Sequence, residues 1–222
     1  MTSRALNEIE TKALLAAAGV TVTPTELTRT ATEAAAAATR LGFPVALKIV
    51  SPAIAHKSEV DGVRLGLASA AAVTTAFDEV IRAARQHRPD AHIDGVSVQP
   101  MAPSGGVELI IGVNVDPQFG HVIMCGLGGV FVEVLQDVAC RLIPLQPRDA
   151  RQMLAELRGG AVLRGTRGRP ATDLQAIEQL LLRISRLVEQ RPDIRELDLN
   201  PVLAYPTGTV AVDARALLQE TP

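Results

Sequence analysis

"VELIIGVNVDPQFGHVIMCG", residues 107 to 126, alternates in character along most of its length. Successive residues of an extended chain point to opposite sides. Val107, Leu109, Ile111, Val113 and Val115 therefore share one face of a strand, and Glu108, Ile110, Gly112 and Asn114 share the other. A second strand reads over His121–Gly126. Around this pair the same reasoning gives strands at Gly95–Met101, Phe131–Asp137 and Ala139–Ile143, and two more at Arg195–Ala204 and Thr209–Ala214. The strands from Gly95 to Ile143 form a block with no helices between them, and the last two close the chain after two helices.

Helices lie outside the block. Leu6, Ile9, Ala13, Leu14 and Ala17 have helical spacing, and Gly19 follows as a stop. Thr30 and Glu33 form a capping box for an alanine-rich helix that ends at Gly42. Strands at Val45–Val50 and Val63–Leu67 come next, then a helix over Ala70–His87 with Val73, Phe77, Val80, Ile81 and Ala84 on one face. Pro147 opens a fourth helix, and Thr172 with Gln175 reads as the capping box of a fifth. Segregated strands and helices give an α+β fold with antiparallel sheets. Residues 20–95 read as a smaller lobe, and 1–19 with 96–222 as a larger one. Residues 158–171, rich in Gly and Arg, read as a mobile loop.

Composition narrows the function. The 222 residues are 47% hydrophobic and 21% charged, as in ordinary globular proteins. A net charge of −2 and 2% aromatic residues argue against nucleic-acid or anionic-membrane binding. Cys125 and Cys140 sit in apolar strands and read as core residues of a reducing compartment. Nothing has the form of a signal peptide, and no apolar run reaches the roughly 18 residues of a membrane span. The expected location is the cytoplasm.

The polar residues that strands carry are the functional candidates. Glu133, Asp198, Asn200 and Asp213 are hard oxygen donors on three strands, the set that Mg²⁺ takes together with substrate phosphates. Each acid alone reads equally well as part of a solvated sheet face. The chain has three lysines, and two of them, Lys48 and Lys57, flank the segment that holds His56. A strand lysine supplies counter-charge for phosphate.

Taken together, "ALKIVSPAIAHKSEVDGV" (46–63), the 95–145 strand block with "VQPM" and "GLGGVFVE", "LRGTRG" (163–168) and "ELDLNPVLAYPTGTVAVDARALL" (196–218) resemble the ATP-grasp domain of ADP-forming acyl-CoA synthetases. The likeness is greatest to the separate β subunit of ADP-forming acetate–CoA ligases, and more distant to that of succinyl-CoA synthetase. It covers nearly the whole chain. The resemblance implies an ATP-grasp fold with ATP or ADP between two lobes. It implies Lys48 on the phosphates, the backbone of Gln99, Pro100 and Met101 near adenine, and Glu108 at the nucleotide. Glu133, Asp198, Asn200 and Asp213 would surround Mg²⁺, and the glycines of "GLGG" would let backbone approach phosphate.

The resemblance further implies that His56, with Lys57 beside it, passes a phosphoryl group between a CoA-binding α partner and ADP. The overall reaction is then acyl-CoA + ADP + phosphate ⇌ carboxylate + CoA + ATP, run by a hetero-oligomer. Without the motif, His56 reads as a loop histidine bonded to a carbonyl, and His87, His92 and His121 read as structural or surface residues. One departure stands out: the family has Gly-Gly-Val after the His-Lys segment, and this chain has Asp61-Gly62-Val63. Two other readings are a nucleotide-sensing ATP-grasp module of a larger acyltransferase and a different ATP-grasp ligase. The relay histidine speaks against the first, and the His-Lys and "DLNP" motifs against the second. The start at "LNEIETKALL" fits a free β subunit slightly better than a portion of a fused synthetase. The acyl group and the choice of ADP or GDP stay open.

Overall fold

The computed structural model describes residues 3–54, 56–129, 137–166 and 168–220. It falls into two compact units, Thr23–Ala102 and Met1–Val22 with Pro103–Pro222. Among the described residues no helix is long and apolar enough to cross a membrane.

The smaller unit holds β2 (Glu26–Thr28), α2 (Ala31–Leu41), β3 (Val45–Val50), β4 (Val63–Leu67), α3 (Ala70–His87) and β5 (Gly95–Pro100). Its sheet runs β2-β5-β3-β4, antiparallel throughout. Thr30 caps α2 by accepting the Glu33 N–H at 3.2 Å, while the Glu33 carboxylate reaches one residue further back than a capping box, to the Arg29 N–H at 2.7 Å. Ala34, Ala37 and Ala38 of α2 and Val73, Phe77, Val80 and Ala84 of α3 pack on Val45, Leu47, Ile49, Val96 and Val98. The sequence reading ends this lobe at residue 95; the structure carries the unit to Ala102, because β5 is the central partner of both β2 and β3.

The larger unit holds β1 (Ser3–Leu6), α1 (Glu8–Ala17), β6 (Val107–Asp116), β7 (Gly120–Leu127), β8 (Val138–Leu142), α4 (Pro147–Glu156), α5 (Leu174–Gln190), β9 (Ile194–Ala204), β10 (Thr209–Ala211) and β11 (Ala214–Gln219). The sheet order is β1-β11-β9-β6-β7-β8, with β10 alongside the end of β9. One face is buried. Leu109, Ile111, Val113, Ile123, Cys125, Leu197 and Leu199 meet Leu15 of α1, Met153 of α4 and Ile177, Leu181 and Ile184 of α5. Each such fully buried aliphatic side chain contributes about 1.5–3 kcal/mol.

Three local expectations change. Ser3–Leu6 forms a strand, and Leu6 is not the start of a helix, because these residues pair with the C-terminal strand β11. Helix α1 then begins at Glu8, with Asn7 as the N-cap in a capping box with Glu10. Helix α5 is capped by Asp173, whose carboxylate accepts the Ala176 N–H at 2.9 Å, not by Thr172 and Gln175. The Thr172 hydroxyl instead donates to the Leu163 carbonyl at 3.0 Å.

Candidate functional site

In the smaller unit every residue of β3 is buried, Lys48 included at 6% exposure. Its cross-strand partners are Ser97 and Val63. Burying an ammonium group is costly unless anions or polar groups balance it. Gln99 is also buried, and its Oε1 accepts from the hydroxyls of Thr23 and Thr25 at 3.4 and 3.3 Å. Gln99 and Pro100 are still strand, paired with Ala46 and Val45. Only Met101, more than a third exposed, is past its end, and its N–H donates to the Pro44 carbonyl at 2.9 Å.

His56 is exposed. It sits at the N-cap position of a single 3-10 turn, Lys57–Val60, and makes no side-chain capping bond. Lys57 beside it is half-buried. Backbone bonds close the turn: Glu59 N–H to His56 O at 3.2 Å, Asp61 N–H to Ser58 O at 3.2 Å and Gly62 N–H to Lys57 O at 2.8 Å. The Ile49 N–H then donates to Gly62 O at 2.8 Å, which seats the turn against β3. The other histidines have local partners. His87 Nδ1 lies 2.9 Å from Ala83 O, His121 Nε2 2.8 Å from Ile194 O, and His92 Nε2 3.1 Å from Asp94.

The larger unit carries two groups on the face opposite its helices. In the first, the exposed Glu108 lies over the glycine loop that follows β7. The Gly128 N–H donates to Glu108 O at 2.7 Å. A Cβ at Gly128 would stand 3.0 Å from Glu108 Cβ, and one at Gly129 (φ 65°) would stand 3.1 Å from Glu108 Oε2. The glycines thus let the loop lie flat against the carboxylate-bearing strand.

The second group lies where β9 changes partners. Leu199 opposes Ile111 and Val202 opposes Leu109, so three steps of β9 match two of β6. This is a β-bulge at Asn200–Pro201, and bulges re-aim side chains. Asp198, just before it, and Asn200, at its start, are both exposed on the open face, with Asp198 paired to Gly112 and Arg215. Asp213 lies not within a continuous strand, as the sequence reading has it, but in the break that divides β10 from β11. The Asn200 N–H donates to Asp213 O at 3.2 Å and the Val212 N–H to Pro201 O at 3.0 Å, which ties that break to the bulge.

The expected fourth donor, Glu133, lies outside the described residues, as does most of the expected strand Phe131–Asp137. Among the described residues no three His, Cys, Asp or Glu side chains form a cluster able to hold a metal. Two carboxylates and an amide oxygen nonetheless fit a hard cation such as Mg²⁺, which usually takes one or two protein carboxylates and fills its remaining positions with phosphate and water.

Two features escape the sequence reading. The buried Asp137 carboxylate accepts the N–H groups of Arg158 and Gly159 at 2.8 and 2.7 Å, and so anchors the Gly/Arg-rich segment taken for a loose loop. A 3-10 turn, Gly160–Val162, continues it. Its partners are 21 and 22 residues away, and no local pattern reveals them. The second is the pairing of Asp61 with Arg64, at 2.8 Å on both carboxylate oxygens.

Comparison with known proteins gives these groups a context. The ATP-grasp domain family matches residues 2–218. The β subunit of ADP-forming acetate–CoA ligase II from Pyrococcus furiosus is 45% identical over 97% of this chain and 92% of its own length. The ADP-forming acetate–CoA ligase I of Archaeoglobus fulgidus is 44% identical over 93% of this chain, which spans only 30% of that longer protein. Among solved structures, acetyl-coenzyme A synthetase 1 of Ca. Korarchaeum cryptofilum, in complex with coenzyme A and Ca-AMPCP, superposes with a TM-score of 0.94 at 44% identity, covering 97% of this chain and 94% of that one. The same synthetase with Mg-AMPPCP has its phosphohistidine segment pointing towards the nucleotide binding site; there the TM-score is 0.84 at 43% identity, over 97% of this chain and 93% of that one. The chain belongs to the ATP-grasp family, as the nucleotide-handling component of the ADP-forming acetate–CoA ligases, which are acid–thiol ligases.

Proposed function

We propose that this chain moves a phosphoryl group between His56 and ADP, while a CoA-binding α partner, separate or fused, forms and consumes the acyl phosphate. The observation that carries the reading is the placement of His56: an exposed imidazole on a tight turn whose end is hydrogen-bonded to the strand bearing Lys48. The phosphohistidine segment described for the Korarchaeum synthetase supports it.

In the direction of ATP formation, a terminal oxygen of ADP attacks the phosphorus of phosphohistidine. A P–O bond forms, the N–P bond breaks, and its electron pair returns to the ring nitrogen. The reverse step uses the imidazole nitrogen as nucleophile toward the γ-phosphorus of ATP, and the bond to ADP breaks. Lys48 neutralises phosphate charge, and Lys57 steadies the charge of the group in transit beside His56. Gln99, Pro100 and Met101 border adenine. Glu108 and the Gly128–Gly129 loop hold backbone close to the nucleotide. Asp198, Asn200 and Asp213, with Glu133, would hold Mg²⁺, which offsets phosphate charge when bound. The free thiols of Cys125 and Cys140 fit a cytoplasmic enzyme.

The test uses the chain purified with its partner and supplied with acetyl-CoA, ADP and phosphate. His56→Asn should abolish ATP formation and leave ADP affinity, read by calorimetry, within about twofold of wild type. Turnover by this variant contradicts the relay. Lys48→Ala removes one charge-assisted contact and should weaken ADP binding roughly 10- to 100-fold. Unchanged affinity contradicts its role.

A further inference from the structure

The turn that carries His56 ends on an unusual residue. Asp61 has φ 52°, the only positive-φ residue other than glycine among those described. A side chain in this left-handed region costs energy and persists where its surroundings hold it there. Glycine is the residue that adopts this conformation without strain. The next residue has no such freedom. A Cβ at Gly62 would lie 2.6 Å from Ile49 Cγ2 and 2.9 Å from Lys57 O.

What holds Asp61 is Arg64. Its Nη1 and Nη2 donate to the two carboxylate oxygens at 2.8 Å each, a bidentate fork. Nη1 also donates to the Asp61 and Val63 carbonyls at 3.0 Å. Nε donates to Glu79 of α3 at 3.2 Å. One guanidinium therefore joins the end of the His56 turn, the start of β4 and the middle of α3. Single-contact surface ion pairs contribute little, but a planar fork shared by two carboxylates and two carbonyls fixes geometry. The Asp61 carboxyl is held below its ordinary pKa, chiefly by the hydrogen bond from Arg64, and so stays ionised at neutral pH. At the other stem of the segment the Ser51 hydroxyl donates to the His92 carbonyl at 2.6 Å.

We propose that Asp61 and Arg64, backed by Glu79, are positioning residues for phosphoryl transfer at His56: they anchor the trailing stem of the 52–60 segment to helix α3, so that the imidazole moves from a fixed pivot. The inference rests on the relay reading above. Neither residue touches the transferred group. The clamp narrows the poses from which His56 can meet the nucleotide.

The experiment follows phosphorylation of His56 by Mg·ATP in the assembled enzyme, by rapid quench with radiolabelled γ-phosphate. Asp61→Gly suits the backbone and removes only the carboxylate. It should slow labelling about 10-fold, as misplacement of a reacting group does. Arg64→Ala should slow it at least as much, Arg64→Lys less, and the double variant no more than Arg64→Ala alone, since that substitution already removes the Asp61 contact. ADP affinity should stay within about twofold, and hydrogen exchange at the Glu59, Asp61 and Gly62 amides should quicken. Wild-type labelling rates in both single variants overturn the proposal, as does a double variant whose loss equals the product of the two. If the wild-type enzyme itself places no phosphate on His56, the relay reading falls and takes this inference with it. That outcome is distinct from label that forms but ignores the clamp.

Discussion

The two cysteines show how burial sets chemistry residue by residue. Cys125 faces the core of the larger unit, and loss of solvation pushes its thiol up to about 12. Cys140, fifteen residues on in β8, is exposed. The thiolate is the reactive form, so at pH 8 only about one part in 10⁴ of Cys125 could react even if reached. A disulfide-exchange reagent at pH 8 should titrate one thiol per native chain, lost in Cys140→Ser, and a second only after unfolding. Two fast thiols in the native chain contradict the packing of β7. The raised value also has a sign for stability: the unfolded thiol loses its proton near pH 9 and the folded one does not, so this group's contribution is complete below pH 9 and declines as pH rises from there. The sequence placed both cysteines in the core. That holds for Cys125 and fails for Cys140, because β7 and β8 present the two residues to opposite faces.

Among the elements, β3, β4 and α3 have the bounds read from the sequence, because each is a compact apolar or helically spaced run with a clear stop. What pairing at long range decides was not legible. Strand β1 exists through β11, and β2 through β5. The expected strand 209–214 is divided because Val212 bonds back to Pro201 at the bulge. Asp198 and Asn200 were legible as face-mates because alternation holds up to the bulge, whereas Asp213 belongs to the break and only its proximity to Asn200, not its parity, links it to them. Asp137 gives an element-scale prediction. Removing a buried carboxylate that accepts two N–H bonds should cost about 2–4 kcal/mol. Asp137→Ala should therefore make the chain sensitive to trypsin at Arg158 and Arg164 under conditions in which wild type resists. Equal cleavage rates would show that Asp137 does not anchor the segment.

The whole molecule has two cores, one per unit, and the candidate groups are divided among them. Lys48, Gln99 and the His56 turn belong to the smaller unit; Glu108, the glycine loop and the Asp198–Asn200–Asp213 corner belong to the larger. A phosphoryl transfer that needs both sets predicts that loss of either abolishes turnover while each core stays folded. Asp198→Asn keeps size and removes charge. It should lower ATP formation at least about 10-fold with little change in melting temperature, and added Mg²⁺ should restore part of the loss. Full activity of Asp198→Asn at low Mg²⁺ contradicts its place at the metal. The central claim is the relay itself, and the most direct measurement of it is to treat the assembled enzyme with γ-labelled Mg·ATP, digest it and locate the phosphate. The account predicts acid-labile, base-stable label on His56 that is transferred to added ADP. Bound nucleotide with the label on another residue of this chain, or with none on it, contradicts the account.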